Sequence, residues 1–252
     1  MRNILLIFVI LTRFFCASAQ EEESSPKEIF ENAVGHLTIN NARLLMNMET
    51  IDQKGNSKTR ELRASFAGID ETKQVMIEIT APDNLKGTKV LSTRHPDGPG
   101  IIQVYMPSTG KTRKFRANSR NINRIGNKIP IGHFSTSSYS GFKAISIGKA
   151  QIDGMECHKI HLRPEEENTY GIAYVTVDGE QLLRVEQYDQ NAQMTGLTEL
   201  SEYRSTNLPG NKPYPRKINI RETNTDEKTE IRITDIKSLT DPEELDFKMP
   251  EN

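Results

Sequence analysis

The sequence predicts a mainly β protein, a large and strongly curved antiparallel sheet or barrel with one covering helix. Three observations lead there. From Leu44 onward apolar residues recur with a period of two, the pattern of strands that bury one face. Turn clusters rich in Gly, Pro, Asn and Asp punctuate these runs at even spacing. Helical periodicity is convincing in only one stretch, close to the N-terminus. No long-period repeat points to a propeller.

Residues 1–19 have the parts of a secretory signal. Arg2 is followed by the apolar run Ile4 to Leu11 and by Ala17-Ser18-Ala19, an A-x-A cleavage site, so the mature chain is expected to start at Gln20. Arg13 cuts the apolar run short of the roughly 20 residues that a membrane-spanning helix needs. Cys16 follows Arg13-Phe14-Phe15 rather than the small or branched residues that precede a lipidated cysteine, so a soluble exported protein is expected. The full chain has 33 basic and 34 acidic residues; the signal holds two of the basic ones and none of the acidic ones, so its removal takes the formal charge from −1 to −3. That balance implies neither nucleic acid nor a bulk anionic membrane as a partner. Cleavage also removes Cys16, leaving Cys157 without an intramolecular disulfide partner. About 230 residues suffice for one all-β domain, and no linker or charge block divides them. Residues 20–26 are polar and acidic and are expected to be a flexible lead into a single domain over 27–252.

The helix is expected from Pro26, with Ile29, Phe30, Ala33, Val34 and Leu37 on one face, and its role is to cover a sheet. Strands follow. Leu44, Met46 and Met48 alternate with polar partners, residues 52–56 turn, and Leu62, Ala64 and Phe66 return. Val75, Ile77 and Ile79 form the next strand, then Val90-Leu91, and residues 96–100 turn into Ile101 to Met106. Later strands are expected at Ile145 and Ile147, at Ile160 and Leu162, at Ile172 to Val177, Leu182 to Tyr188, Leu197 to Tyr203, Lys217 to Arg221 and Glu230 to Ile236.

The stretch Ile101 to Phe142 organises the rest. After a Ser-Thr-Gly turn it carries Lys111, Arg113, Lys114, Arg116, Arg120, Arg124 and Lys128, and no acidic residue occurs from Gly98 through Ile152. Its local field is therefore positive whatever the net charge. A basic tip with apolar flanks suits a molecule with an anionic head and an apolar body; a solvated loop is the alternative.

Competing chemistries are weaker. Cys157 and His161 share one face of a strand while His158 takes the other, and no second ligand pair follows at zinc spacing, so no metal is expected. Gly110-Lys111-Thr112 lacks the first glycine of a phosphate loop, since Tyr105 stands there. There is no G-x-S-x-G, and His36, His95 and His133 stand apart, so neither an enzyme nor a cofactor is implied.

The order of parts is familiar. After the export signal and the helix come Ile79-x-x-Pro82, Lys86-Gly87 and Leu91, then Tyr105-Met106-Pro107 with the basic hairpin and Phe134-x-x-x-x-Tyr139. Pro215-x-x-Ile218, an Ile-rich strand and Asp246-Phe247 complete it. The chain resembles the LolA-like outer-membrane lipoprotein-sorting family over nearly all of its mature length. The resemblance implies an open antiparallel β half-barrel, plugged by short helices, whose apolar cavity holds the acyl chains of a lipid or lipoprotein in the periplasm. It also implies passage of cargo from an inner-membrane transporter to an outer-membrane acceptor, by a monomer. One departure is visible: Ser140-Gly141-Phe142 stands where relatives carry an acidic pair. There is no Trp, and Met46, Met48, Met76 and Met106 are expected to supply adaptable cavity surface instead. The cavity candidates are Leu44, Met46, Val75, Ile77, Ile102 and Val104, which as ordinary core would look the same. Lys111, Arg113, Lys114 and Arg116 are the candidates for an anionic headgroup or a partner protein. A non-carrier that uses the same half-barrel to bind a membrane protein is the alternative.

Overall fold

The computed structural model describes residues 24–69, 72–95, 100–116, 142–164, 169–239, 245 and 247–250. The expected signal, Arg120, Arg124, Lys128, His133 and the Phe134 to Tyr139 motif lie outside the described residues. The elements are α1 (Pro26–Leu37), β1 (Ala42–Ile51), β2 (Ser57–Ile69), β3 (Thr72–Ala81), β4 (Lys89–Arg94), β5 (Ile101–Met106), β6 (Lys111–Arg116) and β7 (Phe142–Ile152). Then come β8 (Met155–Pro164), β9 (Tyr170–Thr176), β10 (Leu182–Tyr188), β11 (Met194–Ser201), β12 (Lys217–Glu222) and β13 (Glu227–Ser238).

The helix starts where the sequence says it must. Ser25 caps it, its hydroxyl accepting from the Glu28 backbone N–H while the Glu28 carboxylate accepts from the Ser25 N–H at 2.8 Å. Pro26 occupies the first turn, where its missing N–H has no intrahelical use. Phe30, Ala33 and Val34 are buried, and they pack on Ile160, Leu162, Ala173, Val175, Leu182 and Val185. The helix therefore covers the inner face of the C-terminal half of the sheet.

Among the described residues, thirteen strands form one antiparallel sheet, in the order β6-β5-β4-β3-β2-β1-β13-β12-β11-β10-β9-β8-β7. It does not close, so the expected open half-barrel is what forms, with β6 and β7 as its edges. The apolar alternation read from the sequence becomes the inner face: Leu44, Met46 and Met48 on β1, Leu62, Ala64 and Phe66 on β2, Ile77 and Ile79 on β3, and Ile231 and Ile233 on β13 form one buried cluster. The outer face is polar over much of its area, with cross-strand pairs such as Arg63–Glu78 at 3.2 Å and Lys217–Glu230 at 2.9 Å.

Two assignments need correction. Ile145 and Ile147, read as the buried face of β7, are 56% and 46% exposed, because the inner positions of that strand are held by Ala144 and Ser146, opposite Leu162 and Ile160. A bulge between Ser146 and Gly148, with Gly148 at φ 119°, breaks the alternation there. Met76, read as cavity surface, pairs with Leu91 on the outer face; its neighbour Ile77 takes the inner position.

The chain ends as a strap on the outer face. The Leu239 N–H donates to the Asn41 carbonyl at 2.7 Å, Leu239 and Leu245 are buried with Ala67 and Phe247, and the Thr112 hydroxyl donates to the Pro250 carbonyl at 2.8 Å.

Candidate functional site

Backbone register gathers five of the six cavity candidates, Leu44, Val75, Ile77, Ile102 and Val104, into two rows on the inner face. One row runs Ile236, Leu44, Ala64, Ile77, Val90, Val104 and ends on Arg113 of edge strand β6. The next runs Ala42, Phe66, Val75, Ser92, Ile102 and ends on Phe115. Met46 stands one pair further along, opposite Leu62. Leu44, Ile77 and Ile102 are 0% exposed and Met46 is buried, whereas Val75 and Val104 are partly buried and pack against the same cluster. Leu37, Leu208 and Tyr214 also pack there, the Tyr214 hydroxyl reaching the Leu37 carbonyl at 3.4 Å. Burial holds the Tyr214 phenol well above the usual tyrosine range, so it stays a neutral donor inside an apolar cluster.

The four basic candidates do not form one group. Lys111 and Arg113 pair with Met106 and Val104 and belong to the inner side, while Lys114 and Arg116 pair with Gln103 and Ile101 and belong to the outer side. Strand alternation forces this division. All four are exposed. From Leu44 to Arg113 the row crosses roughly 24 Å at the usual strand spacing, more than the roughly 15 Å that one leaflet of hydrocarbon occupies. The arrangement is a long apolar track with a cation at its end.

A groove of about 390 Å³ beside β1, β2 and β13 is of another kind. It is lined by Glu49, Glu61 and Glu230 together with Arg60 and Arg232, and suits polar groups rather than acyl chains.

The histidines and cysteine of β8 are engaged separately. Cys157 is a buried free thiol packed with Tyr174 and Leu183, burial pushing its pKa up. The His158 ring lies 3.3 Å from the Val177 carbonyl, and His161 packs edge-on to Tyr170 at 5.0 Å. Around them is a network that sequence reasoning missed. Glu186, only 8% exposed, accepts from the Tyr188 hydroxyl at 2.9 Å and the Tyr174 hydroxyl at 3.2 Å. Arg184 bridges it to Glu199, and Tyr170 stacks on Tyr188 at 4.9 Å. Burial and the neighbouring carboxylate push the Tyr188 pKa up to about 12. The signal was there: Tyr170, Tyr174, Glu186 and Tyr188 all take outer-face register positions on β9 and β10.

A family model described as "Uncharacterized protein" matches residues 71–249, more than two thirds of the chain. A DUF1329 family protein of Desulfovibrio piger superposes with a TM-score of 0.70 at 16% identity, over 85% of this chain and 94% of that one. A putative outer membrane lipoprotein-sorting protein domain of Vibrio parahaemolyticus gives 0.68 at 16% identity, over 86% and 94%. A LolA superfamily protein of Nitrosomonas europaea gives 0.65 at 14% identity, over 88% and 96%. The chain belongs to the matched family and has the LolA-like fold. No curated protein matches the sequence at a significant level. The resemblance drawn from Ile79-x-x-Pro82, Tyr105-Met106-Pro107 and Pro215-x-x-Ile218 thus holds at the level of the fold. In it Pro215 and Ile218 are buried and Gly87, at φ +80°, lies against Pro107.

Proposed function

We propose that the protein is an exported, non-enzymatic carrier in the periplasm, which binds the acyl chains of a lipid or lipoprotein along its inner face and passes them towards the outer membrane. The observation that carries this reading is the apolar row from Leu44 to Val104 ending on Arg113. An acyl chain matches the row by burial of apolar surface, and an anionic or polar head matches the cation by charge-assisted hydrogen bonding. The LolA-like fold, shared with a protein described as lipoprotein-sorting, supports the same assignment of cargo class and compartment. The signal at residues 1–19 is part of this proposal, as is a single domain over 27–252.

One observation favours a second reading. Leu44, Ile77 and Ile102 have no exposed surface, so cargo must displace what packs on them. A half-barrel that stays packed would instead serve as an accessory domain that binds a membrane transporter or envelope protein. Native mass spectrometry of mature protein from a Gram-negative periplasm, without detergent, tests the two. Acylated material at near one-to-one stoichiometry supports the carrier. A clean apo mass that persists after incubation with lipid vesicles overturns it and leaves the accessory role.

A further inference from the structure

Edge strand β7 carries, beside β8, the two most exposed large apolar side chains among the described residues. Ile145, opposite His161, is 56% exposed, and Ile147, the extra residue of the bulge, is 46% exposed. An exposed isoleucine pair on a sheet edge is unfavourable in water unless something covers it. Cations surround it. Lys143 pairs with Arg163 on one side of Ile145, and Lys159 pairs with Gly148 on the other. Glu156 is the one carboxylate on the two strands among the described residues, and it pairs with Gln151 at a position of the opposite parity to Cys157 and Lys159. The neighbouring acid on β10, Glu186, is already engaged by Tyr174, Tyr188 and Arg184. Half-buried Tyr170 packs on His161, and half-buried Tyr188 stacks on Tyr170.

We infer that this face docks on an anionic phospholipid surface. Charge complementarity selects the occupant: the exposed Lys143 and Arg163 reach headgroup phosphates while their stems lie along apolar surface, and Lys159, whose ammonium lies 5.8 Å from the centre of the Tyr174 ring, adds to the positive field. Two isoleucines at an edge protrude rather than line a pocket, which suits shallow insertion between acyl chains better than the pocketed core of a protein interface. The tyrosines have the amphipathic character that is favoured at the headgroup level. The surface is on the opposite face of the sheet from the row that ends on Arg113, so docking leaves the inner face unobstructed. The inference stands without the carrier reading and goes beyond it.

Flotation with vesicles tests it, using mature protein with vesicles of phosphatidylcholine alone or mixed with phosphatidylglycerol. Preferential binding to the mixed vesicles, weakened by salt, is expected. Lys143→Glu is expected to lower that binding about tenfold, from the loss of one attraction and the gain of one repulsion near the surface. The double variant I145S/I147S should lose binding while keeping its thermal midpoint, since both side chains are largely exposed. Lys54→Glu, an exposed charge in the turn between β1 and β2 and away from this face, should leave binding unchanged; a loss equal to that of Lys143→Glu would make the attraction one of overall charge and overturn the inference. Equal binding to both vesicle types, or retention of an acidic polypeptide such as poly-glutamate without vesicle binding, would also overturn it, the latter in favour of a protein partner.

Discussion

Thr112 and Pro250, far apart in the chain, are joined by a hydrogen bond of 2.8 Å from the threonine hydroxyl to the proline carbonyl. The bond ties edge strand β6 to a tail that also buries Leu239 and Leu245 over Ala67. Removing residues 245–252 should therefore loosen β6, seen as faster amide exchange at Lys111 to Arg116 than at β1. Leu245→Ala should lower stability by about 2–4 kcal/mol in denaturant titration.

Inner-face burial makes a graded prediction. Leu44→Ala and Ile77→Ala each remove a fully buried side chain, for an expected loss of about 2–5 kcal/mol. Val104→Ala, at a partly buried position next to the edge, should cost less than either. Equal losses at all three, measured by urea unfolding, would mean that Val104 is as tightly packed as the centre of the row.

The end of the row separates the basic residues functionally. Arg113→Glu should weaken binding of an anionic amphiphile by roughly tenfold or more, the scale of one charge-assisted hydrogen bond lost and a repulsion added. Lys114→Glu, on the other side of the same strand, should leave it within a factor of two or so. A fluorescent fatty-acid displacement titration distinguishes them, and equal effects would remove Arg113 from the site.

These residues also show what the sequence makes legible. Ser25, Pro26 and Glu28 announce the helix start by themselves, since a capping box and a first-turn proline act within one turn of chain. Leu44, Met46 and Met48 announce a strand with one buried face because alternation is local. The division of Lys111 and Arg113 from Lys114 and Arg116 was equally available from alternation; reading the charges as one cluster passed over it. The seat of Met76 was harder. Val75, Met76 and Ile77 are consecutive apolar residues, and only the pairing with Leu91 says which of them turn outward. Exposure of Ile145 follows from its pairing with His161 on the outer face, a fact of register that periodicity does not contain. The seat of Glu186 between two tyrosines depends on the register of β9 against β10, again a property of the pair.

The tyrosine network should contribute to alkaline stability, beside the buried Tyr203 and Tyr214, whose phenols burial also pushes up. Tyr188 is pushed up to about 12 in the folded protein from a reference value of 10.0, first by burial and then by Glu186, and Tyr174 is shifted the same way. A raised folded value means that the unfolded chain ionises first as pH rises. The stabilising contribution is complete below pH 10 and is lost as pH climbs from there through about 12. Tyr188→Phe should flatten the fall in thermal midpoint across that window, and tyrosinate absorbance should show one fewer late-titrating phenol.

The helix cap gives the smallest prediction. Ser25→Ala removes the acceptor for the Glu28 N–H and should lower stability by about 1 kcal/mol, read as a lower urea midpoint at unchanged slope. Ser25→Asp keeps an acceptor and should recover most of it.

The strand order places β1 and β13 side by side, with Ala42 opposite Ser238. Every other ladder joins strands that are neighbours in sequence, so the sheet is two hairpin series, β1 to β6 and β7 to β13, stitched along a single seam. The chain enters and leaves the sheet at the same end of that seam. Tension on the two ends of the molecule, once the helix and the tail have peeled away, falls on the Ala42–Ser238 pair first. The seam then parts bond by bond like a zipper, while the hairpins on either side carry no load until it is open.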